Sequence, residues 1–177
     1  MKHFLISAAF LISCISASAQ TYQTRNGIIT ISGKYRGASL IAESGQLHMN
    51  LNYDRGEITM HVAIPLLITE NDSLNIILAK MAGSELSFHG IMNNVRFLTK
   101  PHQKIKQQIA GTVSINNAAR PFKYLAMIEH FPSGNINCVL TGNFVLNLLD
   151  FCIPVLPGEN KVAISFKELL LKRVQEQ

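Results

Sequence analysis

Apolar and polar residues alternate with a period of two through most of this chain, most clearly from Ile109 to Ile128. Ile109, Gly111, Val113 and Ile115 are interleaved with Ala110, Thr112 and Ser114, and Phe122, Tyr124, Ala126 and Ile128 form a second apolar row. Side chains on a strand switch faces at every residue, so the spacing predicts two strands with one apolar face each. Between them lies Asn116-Asn117-Ala118-Ala119-Arg120-Pro121. Asn tolerates left-handed backbone and Pro fixes φ, which makes this segment the expected loop of a hairpin.

The same design recurs along the chain. Ile29 and Ile31 open a first strand closed by Gly33, and Ser39 to Glu43 form a second, with Glu43-Ser44-Gly45 read as a turn. Leu47, Met49, Leu51 and Tyr53 alternate with His48, Asn50 and Asn52. Asp54-Arg55-Gly56 turns the chain, and Ile58, Met60, Val62 and Ile64 alternate back, a hairpin with one wet and one buried face. Asn71-Asp72-Ser73 has N-cap chemistry and precedes Leu74, Ile77, Leu78 and Met81 at helical spacing, with Gly83 to end the helix. (The same triplet matches a glycosylation sequon.) Strands follow at Leu86 to Gly90 and around Val95 to Leu98. Pro132-Ser133-Gly134-Asn135 is a turn leading into a long strand from Ile136, and Val162, Ile164 and Phe166 alternate as the last strand. Short strands in sequence-adjacent hairpins predict an all-β fold, an antiparallel up-and-down barrel of about eight strands or a sandwich, with one short helix.

Phe144-Val145-Leu146-Asn147-Leu148-Leu149 departs from the pattern, being apolar on both faces. Cover on both sides is expected, from Leu169-Leu170-Leu171 or from a partner chain in a homodimer, with the internal segment preferred.

The start of the chain bears on compartment. Lys2 and His3, the apolar run Phe4 to Ile15, and Ala17-Ser18-Ala19 compose a secretory signal peptide over residues 1–19, with cleavage before Gln20 and a periplasmic or secreted product. A competing reading is a bacterial lipobox at Leu11-Ile12-Ser13-Cys14, which would anchor the protein through a lipid on Cys14. The small apolar residues after Cys14 suit the end of a signal peptide better than a tether. Residues 20–177 then form one domain, large enough to bury a core without staples. No later apolar run reaches the length of a spanning helix.

Charge and cysteine content narrow the function classes. Removing residues 1–19 takes away only Lys2 among the charged residues, leaving 15 basic against 11 acidic side chains. The excess is scattered, and Lys100, Lys104 and Lys106 are interleaved with Gln and His, so no nucleic-acid surface is expected. Cys138 and Cys152 stand at the two ends of a long extended segment, which favours two buried free thiols over a bridge.

No constellation of catalytic or metal-ligating residues emerges. The six histidines lack zinc-site spacing, and no nucleophile elbow, phosphate loop or dinucleotide fingerprint occurs. His48 and His61 are expected as solvated cross-strand neighbours, His89 as an edge or core residue, and Asp150 as a turn-closing carboxylate. No cofactor, metal or catalysis is expected.

The segment Ile109-Ala110-Gly111-Thr112-Val113-Ser114-Ile115-Asn116-Asn117-Ala118-Ala119-Arg120-Pro121-Phe122 resembles the hairpin of YceI-like proteins. Gly142-Asn143-Phe144 through Leu149-Asp150-Phe151 is similar to that family's strand ending in Asp-Phe-Gly, with Cys152 in place of the Gly, and Pro157 to Ile164 looks like the start of its final strand. The family's N-terminal Trp and early His-rich strand have no counterpart. The resemblance implies an exported lipocalin-like barrel that holds a long apolar molecule, an isoprenoid or fatty acyl lipid, as carrier or reservoir. The expected lining is Met60, Val62, Ile64, Phe88, Val113, Ile115, Tyr124 and Ile128, with Met60 pliable and Tyr124 offering a hydroxyl to a head group. The same residues would equally serve as the filled core of a structural or protein-interaction barrel.

Overall fold

The β-branched and aromatic residues at every second position extend the chain into long strands whose apolar faces share one interior. The computed structural model describes residues 21–93, 100–131, 138–153 and 158–174. The predicted signal peptide with Cys14, the strand at Val95 to Leu98, the turn Pro132 to Asn135 and Pro157 lie outside the described residues.

Among the described residues nine strands are formed: β1 (Thr21–Tyr35), β2 (Ala38–Asn52), β3 (Glu57–Ala63), β4 (Ile68–Thr69), β5 (Glu85–Met92), β6 (His102–Ile115), β7 (Ala118–His130), β8 (Cys138–Asn147) and β9 (Lys161–Arg173). Each pairs antiparallel with its sequence neighbour, β3 pairing with β5 past the short β4, and β1 pairs with both β2 and β9. Eight strands therefore close into an up-and-down barrel, with β4 appended to β2. Helix α1 (Asp72–Ala79) lies between β4 and β5. Its N-cap Asn71 accepts a hydrogen bond from Leu74 N at 3.0 Å, the capping expected from the Asn-Asp-Ser triplet.

Several local expectations are corrected. Ser39 to Glu43 and Leu47 to Asn52 belong to one strand, β2, and Glu43-Ser44-Gly45 is not a turn. The β1–β2 register shifts twice, between Thr24 and Gly27 and between Gly27 and Ile29, so β-bulges absorb the irregularity without breaking the strand. The turn lies earlier, at Arg36-Gly37, both at positive φ (52° and 80°). The 109–128 hairpin is tighter than expected. Ile115 pairs with Ala118 across Asn116-Asn117, with Asn116 at φ 54°, and Pro121 stands within β7 opposite Thr112.

Pro121 is tolerated because β7 has no second neighbour there. The β7–β8 ladder runs only from Ala126↔Gly142 to His130↔Cys138, whereas β6–β7 continues to Ala118 and β8–β9 to Asn147. Residues 118–125 of β7 and 143–147 of β8 thus border a seam without ladder pairing, and a Pro, lacking an N–H, fits such an edge. Side chains close the seam: Phe144 lies 5.0 Å from Phe122 and 5.2 Å from Tyr124 between ring centroids.

Leu169-Leu170-Leu171 does not cover the outer face of β8. It continues β9 and pairs with Cys138 to Leu140, while Val145 and Leu149 remain exposed. Inward rows follow the predicted alternation through Leu47 to Tyr53, Ile58 to Val62, Leu86 and Phe88, Val113 and Ile115, and Tyr124 to Ile128.

Candidate functional site

The two ends of the barrel differ. At the end where β2 turns into β3, the interior is packed solid. Leu51, Ile58, Ile109, Ile128, Leu140 and Leu171 are fully buried there. Tyr53 and His130 share a hydrogen bond between the phenol oxygen and Nε2, and Tyr53 Oη lies 3.8 Å from Cys138 Sγ. Tyr22 packs edge-on against both rings at 5.3 Å. Burial, helped by His102 nearby, pushes the His130 pKa down to about 4. Burial also raises the Tyr53 phenol and pushes the Cys138 thiol up to about 12. The cluster is neutral near pH 7, a structural network rather than an activated one.

The opposite end holds a cavity of about 610 Å³. Its wall comes from the last residues of strands β1, β6 and β8 and the first residues of β2, β5 and β9, where closure gathers Ile31, Leu40, Leu86, Ile115, Leu146 and Val162. Leu74, Leu78 and Met81 of the α1 region, with Leu67, form one side. No residue of α1 is buried, and Ile77, predicted on its apolar stripe, is exposed together with Ile76. The helix therefore borders the cavity without plugging the barrel.

Polar groups at the rim are few: Lys34, Tyr35 and Arg36 at the end of β1, Thr69 of β4, and Glu159. Glu159 is buried, and its carboxylate accepts a hydrogen bond from Gly37 N. That contact ties the β1–β2 turn to the approach of β9. Thr69 Oγ1 and N both donate to Asn75 Oδ1 at 2.8 Å, which fixes α1 to β4.

Of the residues expected to line a ligand site, Ile64 and Ile115 face the large cavity. Met60, Val62, Phe88 and Val113 surround a small void of about 20 Å³ behind it, which shares Leu86 and Ile164 with the cavity. Tyr124 and Ile128 lie in the packed interior. Alternation identified the inward rows but not how far along each strand the filling stops. The rim residues Lys34 to Arg36 and Glu159 carry no periodic signal, because closure rather than sequence proximity brings them together.

Other candidate groups stay apart from the cavity. His48 and His61 are cross-strand neighbours, as expected, with ring centroids 4.8 Å apart on the outer face. His89 and Asp150 are exposed, and Asp150 accepts from Asn147 Nδ2 at 3.1 Å rather than from backbone. Cys138 and Cys152 are free thiols, the first buried but the second exposed at φ 58°. Among the described residues no group of three or more His, Cys, Asp or Glu side chains converges, and no helix is long and apolar enough to cross a membrane.

No family model matches the sequence, and no curated protein does. Solved structures do match. A polyisoprenoid binding domain from Saccharophagus degradans, implicated in plant cell wall breakdown, superposes with a TM-score of 0.69 at 7% identity, over 88% of this chain and 99% of its own. The fold is that of the YceI-like barrels. BcnA of Burkholderia cenocepacia superposes with a TM-score of 0.58 at 11% identity, over 84% of this chain and 96% of its own. The hairpin resemblance read from Ile109 to Phe122 thus agrees with the fold, although sequence identity to these structures is only 7% and 11%.

Proposed function

We propose that this protein is an exported, non-catalytic binding protein for a long apolar molecule such as an isoprenoid or fatty acyl lipid, acting as carrier or reservoir. The observation that carries the reading is the cavity of about 610 Å³ at one end of an otherwise packed barrel, walled by aliphatic side chains with polar groups only at its rim. Its volume falls in the range of about 300–1,000 Å³ typical of small-molecule sites. Each methylene moved from water into such a wall contributes roughly 0.8 kcal/mol, so an acyl or prenyl tail needs no catalytic group to be held. The polyisoprenoid binding domain that shares the fold supports the ligand class. Export rests on the signal peptide at residues 1–19, with lipid anchoring through Cys14 as the alternative route to the same side of the membrane.

A barrel serving only as an interaction module would have a filled interior from end to end, and only the half around Tyr53 and His130 is filled. Native mass spectrometry with organic extraction, on protein purified from its exporting host, tests the reading. A lipid-like molecule at one per chain is expected. A chain that is empty and also refuses a hydrophobic fluorescent probe would overturn it.

A further inference from the structure

All the charged side chains that line the large cavity gather at one corner of its mouth. Lys34 and Arg36 come from the end of β1 and its turn, and Glu159 reaches the same turn by accepting the hydrogen bond from Gly37 N. The Glu159 carboxylate is thus already engaged. So is the hydroxyl of Thr69, another polar member of the wall, which donates to Asn75 Oδ1 and accepts from Asn71 N. Lys34 and Arg36 form no ion pair among the described residues, whereas Arg55 and Lys104 each stand beside a glutamate, at 3.8 and 4.0 Å. Two cations are left at the opening of an otherwise aliphatic cavity.

Arg36 is also held in place. The Gly37–Glu159 hydrogen bond ties down its turn, and its guanidinium carbon stands 5.2 Å from the centroid of the Tyr35 ring, itself part of the cavity wall. Contact with an aromatic ring leaves the N–H fork of an arginine open to a ligand. An ionised head cannot follow its tail into an aliphatic cavity without a large desolvation cost, so it stays at the mouth. There it meets two cations and one carboxylate that is already hydrogen-bonded. Tyr124, expected from the sequence to meet a head group, is not part of the cavity wall.

We propose that Lys34 and Arg36 form a head-group site for an anionic oxygen acid, a carboxylate or a phosphate, whose apolar tail fills the cavity. The arginine fork suits two oxygens of such a head, and the lysine supplies a second positive charge. This rests on the binding function proposed above and narrows its ligand class, from any long apolar molecule to an acidic amphiphile.

The test displaces a hydrophobic fluorescent probe from the full mature chain, near neutral pH, with four amphiphiles of one tail length: palmitic acid, hexadecyl phosphate, hexadecanol and hexadecylamine. At least one of the two acids is expected to bind about tenfold more tightly than hexadecanol, the size of a hydrogen bond to a charged group, and the amine more weakly. The acid that gains more identifies the head as carboxylate or phosphate. Raising the salt concentration should shrink the gain. K34Q/R36Q should abolish it and leave hexadecanol affinity and melting temperature unchanged, since both positions are exposed. An amine bound as tightly as the acids, or a gain that is absent or survives in the double variant, overturns the head-group site while uptake of hexadecanol stands. A chain that takes up neither the probe nor hexadecanol nor either acid overturns the site together with the binding function.

Discussion

Gly111 of β6 faces Gly90 of β5, and a Cβ on Gly111 would collide with the His89 carbonyl oxygen and the Gly90 Cα. Both obstacles are backbone, which cannot rotate away, and the Phe88 ring lies where a Cβ on Gly90 would go. G111A should destabilise the barrel by about 2–3 kcal/mol, the cost of overpacking a closed interior. Chemical denaturation checks it through a lower midpoint at unchanged slope.

The two halves of the interior should respond differently to mutation. Ile128 is fully buried in the packed half, so I128A should cost about 2–5 kcal/mol. Ile115 faces the cavity, so I115W should fill ligand space while the fold is kept, lowering uptake of a hydrophobic probe with little change in melting temperature. Paired melting and probe titrations distinguish the two.

Acidification should weaken the closed end. His130 is held neutral by burial, with a folded pKa near 4 against an unfolded value near 6.5, so the unfolded chain binds more protons between those values. The contribution is full above about pH 6.5 and is lost as pH falls toward 4. H130Q should flatten this part of the stability profile, measured by denaturation at a series of pH values.

The thiols should titrate separately. In a chain beginning at Gln20, the exposed Cys152 should react at once with a thiol reagent, giving one equivalent. Cys138 is buried beside Tyr53, with its thiol pushed up to about 12, and should react only on unfolding. Two equivalents in the folded state would contradict this packing.

Helix α1 leans on one cap. N71A removes the acceptor for Leu74 N and should cost about 1 kcal/mol. Because α1 borders the cavity, faster amide exchange over 72–79 should accompany faster release of a bound probe.

Local pattern carried the barrel a long way. Period two in β3, β5, β6 and β7 marks which side chains point inward, and the Asn-Asp-Ser triplet marks the helix start. Two kinds of feature escape such a reading. Gly45 resembles a turn but sits in a strand, because a bulge opposite Gly27 to Ile29 absorbs the extra residue. Pro121 resembles a loop but sits in a strand, because its ladder partner is missing on one side. The cavity is a property of closure. Gly37 and Glu159 meet although they are 122 positions apart, and no periodicity links them.

The pairing of β1 with β9 also has a consequence in time. The strand synthesised first has one of its two edges reserved for the strand synthesised last, with Tyr22 opposite Arg173. Until that final segment is available, β1 presents an open edge and the interior stays uncovered. A chain truncated before β9 should therefore be adhesive and protease-sensitive rather than merely less stable. Closure of the barrel therefore waits on the β1–β9 pairing and not on the first hairpin alone.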